Sequence, residues 1–265
     1  MDVMSVNGDP RVLLVVATLG RRPHYLRETL TSIRSQRVAA DIVIVAPTSA
    51  SDMNAMAEEF QARLLPDPGS LPAAINLGMQ SRQDHHDYVN WLNDDDLLAN
   101  DSLALTVNLL DSHSHATVAY GACQYIDSEG RNLWVSKAGP WAERILSFGP
   151  DLIPQPGMLV RATAWDQVGG LNETYELAFD LDLLLRLRRI GPLVSTPQVV
   201  SAFRWHADSL TVEDRSKNIA ESERAKRDSL GPQVRKLAWL WEPPIRLATH
   251  VAVGTVQRRA RRLAR

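Results

Sequence analysis

Residues 93–96 read Asn-Asp-Asp-Asp, the densest run of carboxylates in the chain. Adjacent carboxylates repel one another, and such a cluster keeps its charge only beside a counter-ion. Oxygen-only ligands suit a hard divalent cation, Mg²⁺ or Mn²⁺, which retains waters and completes its shell with substrate phosphates. The bland alternative is a polar loop ending in a helix cap, because Asp is favoured at a first helical turn. A second acidic stretch, Asp180-Leu181-Asp182, opens an apolar run at helical spacing that includes Arg186. Positions i and i+2 on a helix do not face one another, so the two acids have separate jobs, and Asp182 is placed to pair with Arg186 at i+4. The only cysteine is Cys123, which excludes an intrachain disulfide and a thiolate-rich zinc site.

Acids acquire chemistry through the elements that hold them. Residues 11–18 (RVLLVVAT) form a continuous apolar, β-branched run, as expected of a strand covered on both faces. Gly20 and Pro23 break it, and Leu26, Leu30 and Ile33 then recur at helical spacing. A second buried strand is expected at 42–46, with a helix after a cap at Ser51 or Asp52. A third strand is expected at 63–65, with a helix at 72–80, and a fourth at 88–92, ending on the acidic cluster. A helix at 101–110, a hairpin built from 118–126 and 133–136 around Asp127-Ser128-Glu129-Gly130, a strand at 158–161 and a helix at 181–190 follow. This is an α/β pattern: a doubly wound, mostly parallel sheet flanked by helices, with a small antiparallel hairpin and a helical C-terminal tail. In such a sheet ligands bind beyond the carboxyl ends of the strands, where the cluster after Leu92 falls.

Four stretches, in order, resemble family 2 glycosyltransferases of the GT-A fold. Trp91-Leu92-Asn93-Asp94-Asp95-Asp96-Leu97-Leu98 is similar to that family's Asp-x-Asp region. Val15-Val16-Ala17-Thr18 with residues 21–36 resembles its opening strand and helix, and residues 71–78 (LPAAINLG) its small-residue helix. Residues 168–173 (VGGLNE) followed by 179–187 (FDLDLLLRL) resemble the segment that carries its catalytic base. The resemblance spans about residues 10 to 210, and GT-A is the fold it implies.

What the resemblance implies is an inverting, metal-dependent transferase of hexosyl type. It would move one sugar from a nucleoside diphosphate sugar to a hydroxyl of a saccharide or lipid-linked acceptor, in cell-surface polysaccharide assembly. Asp180 aligns with the base, and Asp95 with the metal-holding second acid, beside Mg²⁺ or Mn²⁺. Asn93 stands where the first acid often is, and Asp94 at the variable middle position. Asp96 is expected to cap the next helix. Arg204-Trp205-His206 with Ser209 resembles a late segment whose His reaches the metal or diphosphate, so His206 is a metal candidate; the other histidines, His85 and His86 included, read as surface. Thr18, Arg21 and Asn76 are expected on the donor side. Gln155, Pro156 and Gly157 are expected on the acceptor side, where Trp134 and Trp141 are either core or sugar-stacking residues.

The chain departs from the family in two places. After the second strand the family places a nucleobase-binding Asp, whereas this chain has Ala46-Pro47-Thr48-Ser49, which leaves base recognition to Thr48, backbone or Asp67. Phe179 replaces a common Glu before the base, removing a charge that would raise its pKa. Two rivals share part of the pattern: a sugar-phosphate nucleotidyltransferase, whose Gly-rich phosphate loop is only faintly present at residues 18–22, and a non-catalytic sugar-nucleotide-binding protein.

Composition sets the surroundings. With 265 residues, 29 basic and 31 acidic side chains and 45% hydrophobic residues, the chain has the make-up of a soluble globular protein. Residues 235–265 hold eight Lys/Arg against Glu242 alone, so the first 234 residues carry a balance of −9. An acidic body argues against nucleic acid as a partner. The expected organisation is an N-terminal tail (1–10), a GT-A domain (11–215) and a helical basic extension (216–265). Trp239 and Trp241 beside the late arginines suit either a solvated packed helix or peripheral contact with anionic lipid. With no signal-peptide pattern at residues 1–10, the expected location is cytoplasmic, at or near the inner face of the membrane.

Overall fold

The computed structural model describes residues 11–50, 52–136, 139–205 and 215–231. Residues 1–10, His206, Ser209 and the basic stretch 235–265 lie outside them. The elements run β1 (Val12–Ala17), α1 (Pro23–Arg34), β2 (Ala40–Ala46), α2 (Met53–Glu59), β3 (Arg63–Pro66), α3 (Leu71–Gln80), β4 (Tyr88–Asn93), β5 (Leu97–Leu98) and α4 (Ser102–Ser112). They continue with β6 (Val118–Ile126), β7 (Asn132–Ser136), α5 (Pro140–Ile145), β8 (Leu159–Arg161), α6 (Ala162–Val168), α7 (Phe179–Ile190), β9 (Leu193–Arg204) and α8 (Arg215–Ser229). The strands and helices expected between residues 11 and 190 are found, within a few residues at their ends, whereas the expected helical extension is described only as far as Ser229.

The sheet has the order β3-β2-β1-β4-β8-β6-β9-β5, with β7 paired to β6. Strands β3, β2, β1 and β4 are parallel and in register, with Val15 beside both Val43 and Trp91. Period-2 alternation then sorts their side chains onto two faces. Leu13, Val15, Val43, Val45, Val89 and Trp91 face one core, with buried residues of α3, α6 and α7. Val12, Leu14, Val16, Ile42, Ile44 and Leu92 face the other, with α1, α2 and α4. That double coverage explains why β1 reads as an unbroken apolar run. Helix α3 lies directly on β1: a Cβ at Gly78 would come within 2.5 Å of Val15, so the small residue sets the approach.

The second half of the sheet is mixed. Strand β8 is antiparallel to β4 and β6, whereas β9 runs parallel to β6 and antiparallel to β5. Strand β9 is twelve residues long and went unnoticed in the sequence because Pro197 and alternating polar residues interrupt its apolar pattern. It matters for function, because it returns the chain to the end of β4: Leu97 of β5 pairs with Ala202, and Arg204 ends beside the acidic cluster. No helix among the described residues is long and apolar enough to cross a membrane.

Candidate active site

Strand β4 delivers Asn93 to Asp96 at the carboxyl edge of the sheet, next to the end of β1. Asp94, Asp95 and Asp96 are all buried. Thr18, the residue after β1, donates its hydroxyl to Asp94 Oδ2 at 2.6 Å and accepts the Gly20 amide at 2.9 Å. Arg22 spans the two neighbouring acids, its Nη1 2.9 Å from Asp95 Oδ2 and its Nη2 3.2 Å from Asp94 Oδ1. A charge-assisted pair held by one planar guanidinium is stronger and more directional than a point-charge contact. Of the two adjacent arginines, Arg21 is exposed, and Arg22, one position nearer the helix, is the one that turns inward.

Asp96 does not cap a helix. Strand β5 intervenes, and the residue preceding α4 is Asp101, in a left-handed conformation with φ of 60°. Asp96 instead accepts Asn93 Nδ2 at 2.9 Å and the Arg204 amide at 3.2 Å, joining the ends of β4 and β9. Full burial, and then the Asp95 charge, push its pKa well above the ordinary carboxylate value. Arg204 is itself about 1% exposed. It reaches the carbonyls of Asp95, Asp127 and Ser128, pairs with Glu28 and stacks over the Tyr25 ring at 4.3 Å.

The base candidate lies on the other side of β4. Asp180 occupies the first turn of α7, its Oδ1 accepting the Leu181 amide at 2.8 Å. Its neighbour Phe179 packs 6.2 Å from the Trp91 ring of β4. The 151–157 loop closes the same edge: Gln155 Nε2 donates to the Trp91 carbonyl at 2.8 Å, and Asn90 Nδ2 to the Pro156 carbonyl at 3.0 Å. Gly157 packs flush on β9, since a Cβ there would meet Val200 at 2.5 Å. Burial pushes Asp180 up to about 6 against the hydrogen bond from Leu181. Asp151, at the start of the loop, rises to about 7 through burial and then the charge of Asp180, opposed by the Ile153 amide and by Lys226. The two carboxylates therefore form one proton-binding pair.

Helix α8 supports this pair from behind. Buried Lys226 has its pKa lowered by desolvation despite the Asp151 charge. Glu221 Oε2 accepts the amides of Leu177 at 2.8 Å and of Glu176 and Ala178 at 3.1 Å, fixing the turn that launches α7. Asp182 pairs with Arg186 at 2.7 Å, as the i+4 spacing suggests. None of Asp151, Glu221 and Lys226 belongs to a motif, and Arg22, though it falls within the stretch that resembles the family's opening helix, is not singled out there. Only Arg22 had a sequence cue, its place just before the Pro that starts α1.

The remaining candidates are placed as follows. Asn76 spends its amide on Leu171 and Glu173, tying α3 to the loop that precedes α7. Thr48 is exposed after β2, and half-buried Asp67 accepts the Gly69 amide at 2.9 Å after β3. Trp134 stacks on Tyr125 at 4.4 Å, whereas Trp141 is exposed. His86 is not a surface residue: it is about 3% exposed, because the turn at 83–86 folds its ring under β2. With Asp41 and His85 it forms a group whose potential ligand atoms lie within 4.8 Å of one another. That group sits at the amino edge of the sheet, opposite Asp94 and Asp95. His86 Nδ1 accepts the Gln83 amide at 2.9 Å, which leaves the proton of a neutral ring on Nε2, facing Asp41. In this orientation the ring donates to a carboxylate and offers no lone pair to a metal there.

A family model, glycosyl transferase family 2, matches residues 14–164, more than half of the chain. The chain belongs to glycosyl transferase family 2. The matched stretch runs from β1 through the acidic cluster to α6. Among curated relatives, an uncharacterized glycosyltransferase of Rickettsia felis is 24% identical over 199 residues, covering 70% of this chain and 33% of that protein. The uncharacterized protein y4gI of Sinorhizobium fredii is 27% identical over 69% of this chain and 21% of its own length. The chain thus spans a third or less of each of these relatives. In fold it is similar to the mannosyltransferase PcManGT of Pyrobaculum calidifontis, solved with GDP-Man and Mn²⁺, with a TM-score of 0.64 at 16% identity over 97% of this chain and 76% of that one. TarS of S. aureus, residues 1–349 with UDP, gives a TM-score of 0.60 at 14% identity over 83% and 65% of the two chains. The GT-A architecture expected from the sequence is the one found.

Proposed function

We propose that this chain is an inverting glycosyltransferase that moves a sugar from a nucleoside diphosphate donor to a hydroxyl of a saccharide or lipid-linked acceptor. The observation that carries this reading is the placement of two unlike acidic groups along β4: Asp94 and Asp95 at its end, paired with Arg22, and the proton-binding pair Asp180 and Asp151 beside Trp91. Membership of family 2 and a GT-A neighbour solved with a GDP-sugar support it.

In this reading Asp95, with Asp94, holds a divalent cation on the donor diphosphate. The donor set fits, because two buried carboxylates at a strand end already draw a cationic partner. Such an ion, Mg²⁺ or Mn²⁺, supplies Lewis-acid stabilisation to a departing nucleoside diphosphate. Asp96 takes no part, being consumed by Asn93 and Arg204. Thr18 fixes the orientation of Asp94, while recognition of the nucleobase falls to Thr48, to backbone or to Asp67, which follow β2 and β3. Asp180 accepts the proton of the acceptor hydroxyl as that oxygen attacks the anomeric carbon. A carboxylate with a pKa near 6 is a stronger base than an ordinary Asp and is still ionised at neutral pH. One carboxylate suffices, because a diphosphate leaves without the general acid that glycoside hydrolysis requires. Gln155, Pro156 and Gly157 bound the acceptor side. A role in surface polysaccharide assembly, with contact to the inner face of a membrane through residues 235–265, accords with the basic and aromatic make-up of that stretch.

The test is nucleotide release from UDP-, GDP- and dTDP-sugars, with Mn²⁺ and with chelator. Metal-dependent turnover of one donor is the expected result. Nucleotidyl transfer from a sugar phosphate and a nucleoside triphosphate would establish the nucleotidyltransferase instead, and donor binding with no turnover on any acceptor would indicate a binding protein.

A further inference from the structure

Arg22 occupies an unusual place for a surface-helix arginine. Its backbone is the last before α1, where Pro23 follows and the Leu26 amide donates to its carbonyl at 3.1 Å. A residue before proline is restricted in conformation, and here it is also pinned by the first helical bond. The side chain runs back across the end of β1 and places one guanidinium nitrogen on each of two acids that are only 9% and 12% exposed. Thr18 takes the other oxygen of Asp94, so Arg22 and Thr18 each hold one oxygen of that carboxylate.

Resting on the donor-site reading above, we infer that Arg22 is a resident counter-ion of Asp94 and Asp95, and that a divalent cation enters the site by displacing it. Two cations cannot share one pair of carboxylates at a few ångströms without strong repulsion. The Arg22 side chain is 34% exposed and hangs its guanidinium on a flexible stem, so the group can withdraw while its backbone stays fixed. The exchange keeps the buried acids neutralised whether or not donor is bound. It also makes metal affinity low in the free protein, and raises it where diphosphate supplies further oxygen ligands and a new partner for the arginine. Lysine would not replace this device, because a single ammonium cannot span both acids in fork geometry.

The experiment is a Mn²⁺ titration of the full chain without nucleotide, following free Mn²⁺ by EPR, with thermal melting to confirm folding. Arg22→Gln is expected to bind Mn²⁺ about tenfold tighter than wild type, because the competing cation is gone. Arg22→Lys, which keeps the charge, should fall between the two. Asp95→Ala should abolish the binding, and Asp41→Asn, at the opposite edge of the sheet, should leave it unchanged. Equal or weaker binding by Arg22→Gln, with Asp95→Ala still losing the ion, would overturn the displacement while sparing the donor site. Wild-type binding by Asp95→Ala, or loss in Asp41→Asn, would place the ion elsewhere and remove both.

Discussion

The molecule carries two acidic clusters on either side of β4, built from the same residue type and neutralised in opposite ways. Asp94 and Asp95 lie against Arg22, so a cation sits directly on both. Among the described residues no arginine pairs with Asp180 or Asp151; burial, and at Asp151 also the charge of Asp180, lift them to about 6 and about 7, with desolvated Lys226 only partly offsetting this at Asp151. An acid that must hold a diphosphate-bound cation benefits from permanent charge, and one that must accept a proton benefits from a raised pKa. The partners of each carboxylate, rather than its own identity, assign the job.

Removing the proton acceptor should produce the largest effect. Asp180→Asn keeps size and the Leu181 hydrogen bond but cannot accept a proton, so turnover should fall by roughly 10²–10⁴-fold. Single-turnover kinetics with whichever donor the nucleotide-release assay selects checks this, and a loss of less than tenfold would mean the base lies elsewhere.

Next comes the tie between the donor cluster and the rest of the sheet. Arg204→Met removes a buried cation that satisfies three carbonyls and pairs with Glu28, and should cost about 3–5 kcal/mol of stability, read as a lower denaturant midpoint. An unchanged midpoint would show that Arg204 is replaceable by water.

A smaller, pH-dependent difference sharpens the contrast. The raised carboxylates bind protons in the folded chain that the unfolded chain releases, so they make stability fall as pH rises from about 4 to about 7. Asp151→Asn removes part of that penalty. Its melting temperature relative to wild type should therefore climb between pH 5 and pH 8. A flat difference in melting temperature across that range would mean that the pair does not share a proton. The smallest effect is expected at Glu221→Ala, which frees three amides before α7 and should cost about 1 kcal/mol. In donor titrations it should lower kcat while leaving KM nearly unchanged; a change confined to KM would assign Glu221 to donor binding instead.

Much of the fold was legible because β1, β2 and β4 are covered on both faces, which forces unbroken apolar runs, because α1 and α3 show one buried stripe each, and because α7 is apolar over most of its length. Strand β9 was not, since Pro197 and its polar residues serve a strand whose pairing is settled by distant partners, β6 and β5. The same division holds at the site. Asp95 and Asp180 stand in local motifs and could be named from them. Asp96 reads as a helix cap until β5 and Arg204 are seen to claim it, and His86 reads as a surface residue until the turn at 83–86 buries it. Arg22, Asp151, Glu221 and Lys226 act across separations of 29 to 75 residues, as in Asp151 with Asp180 and Lys226 or Arg22 with Asp94 and Asp95, which no spacing argument reaches.

The central claim, that the two clusters divide binding from proton transfer, is tested most directly by calorimetric titration of UDP and GDP in the presence of Mn²⁺ into Asp95→Ala and Asp180→Asn. The account predicts that Asp95→Ala loses most of the Mn²⁺-supported binding of whichever nucleotide the wild type prefers, while Asp180→Asn binds it as the wild type does. Equal losses in both variants, or a loss confined to Asp180→Asn, would contradict it.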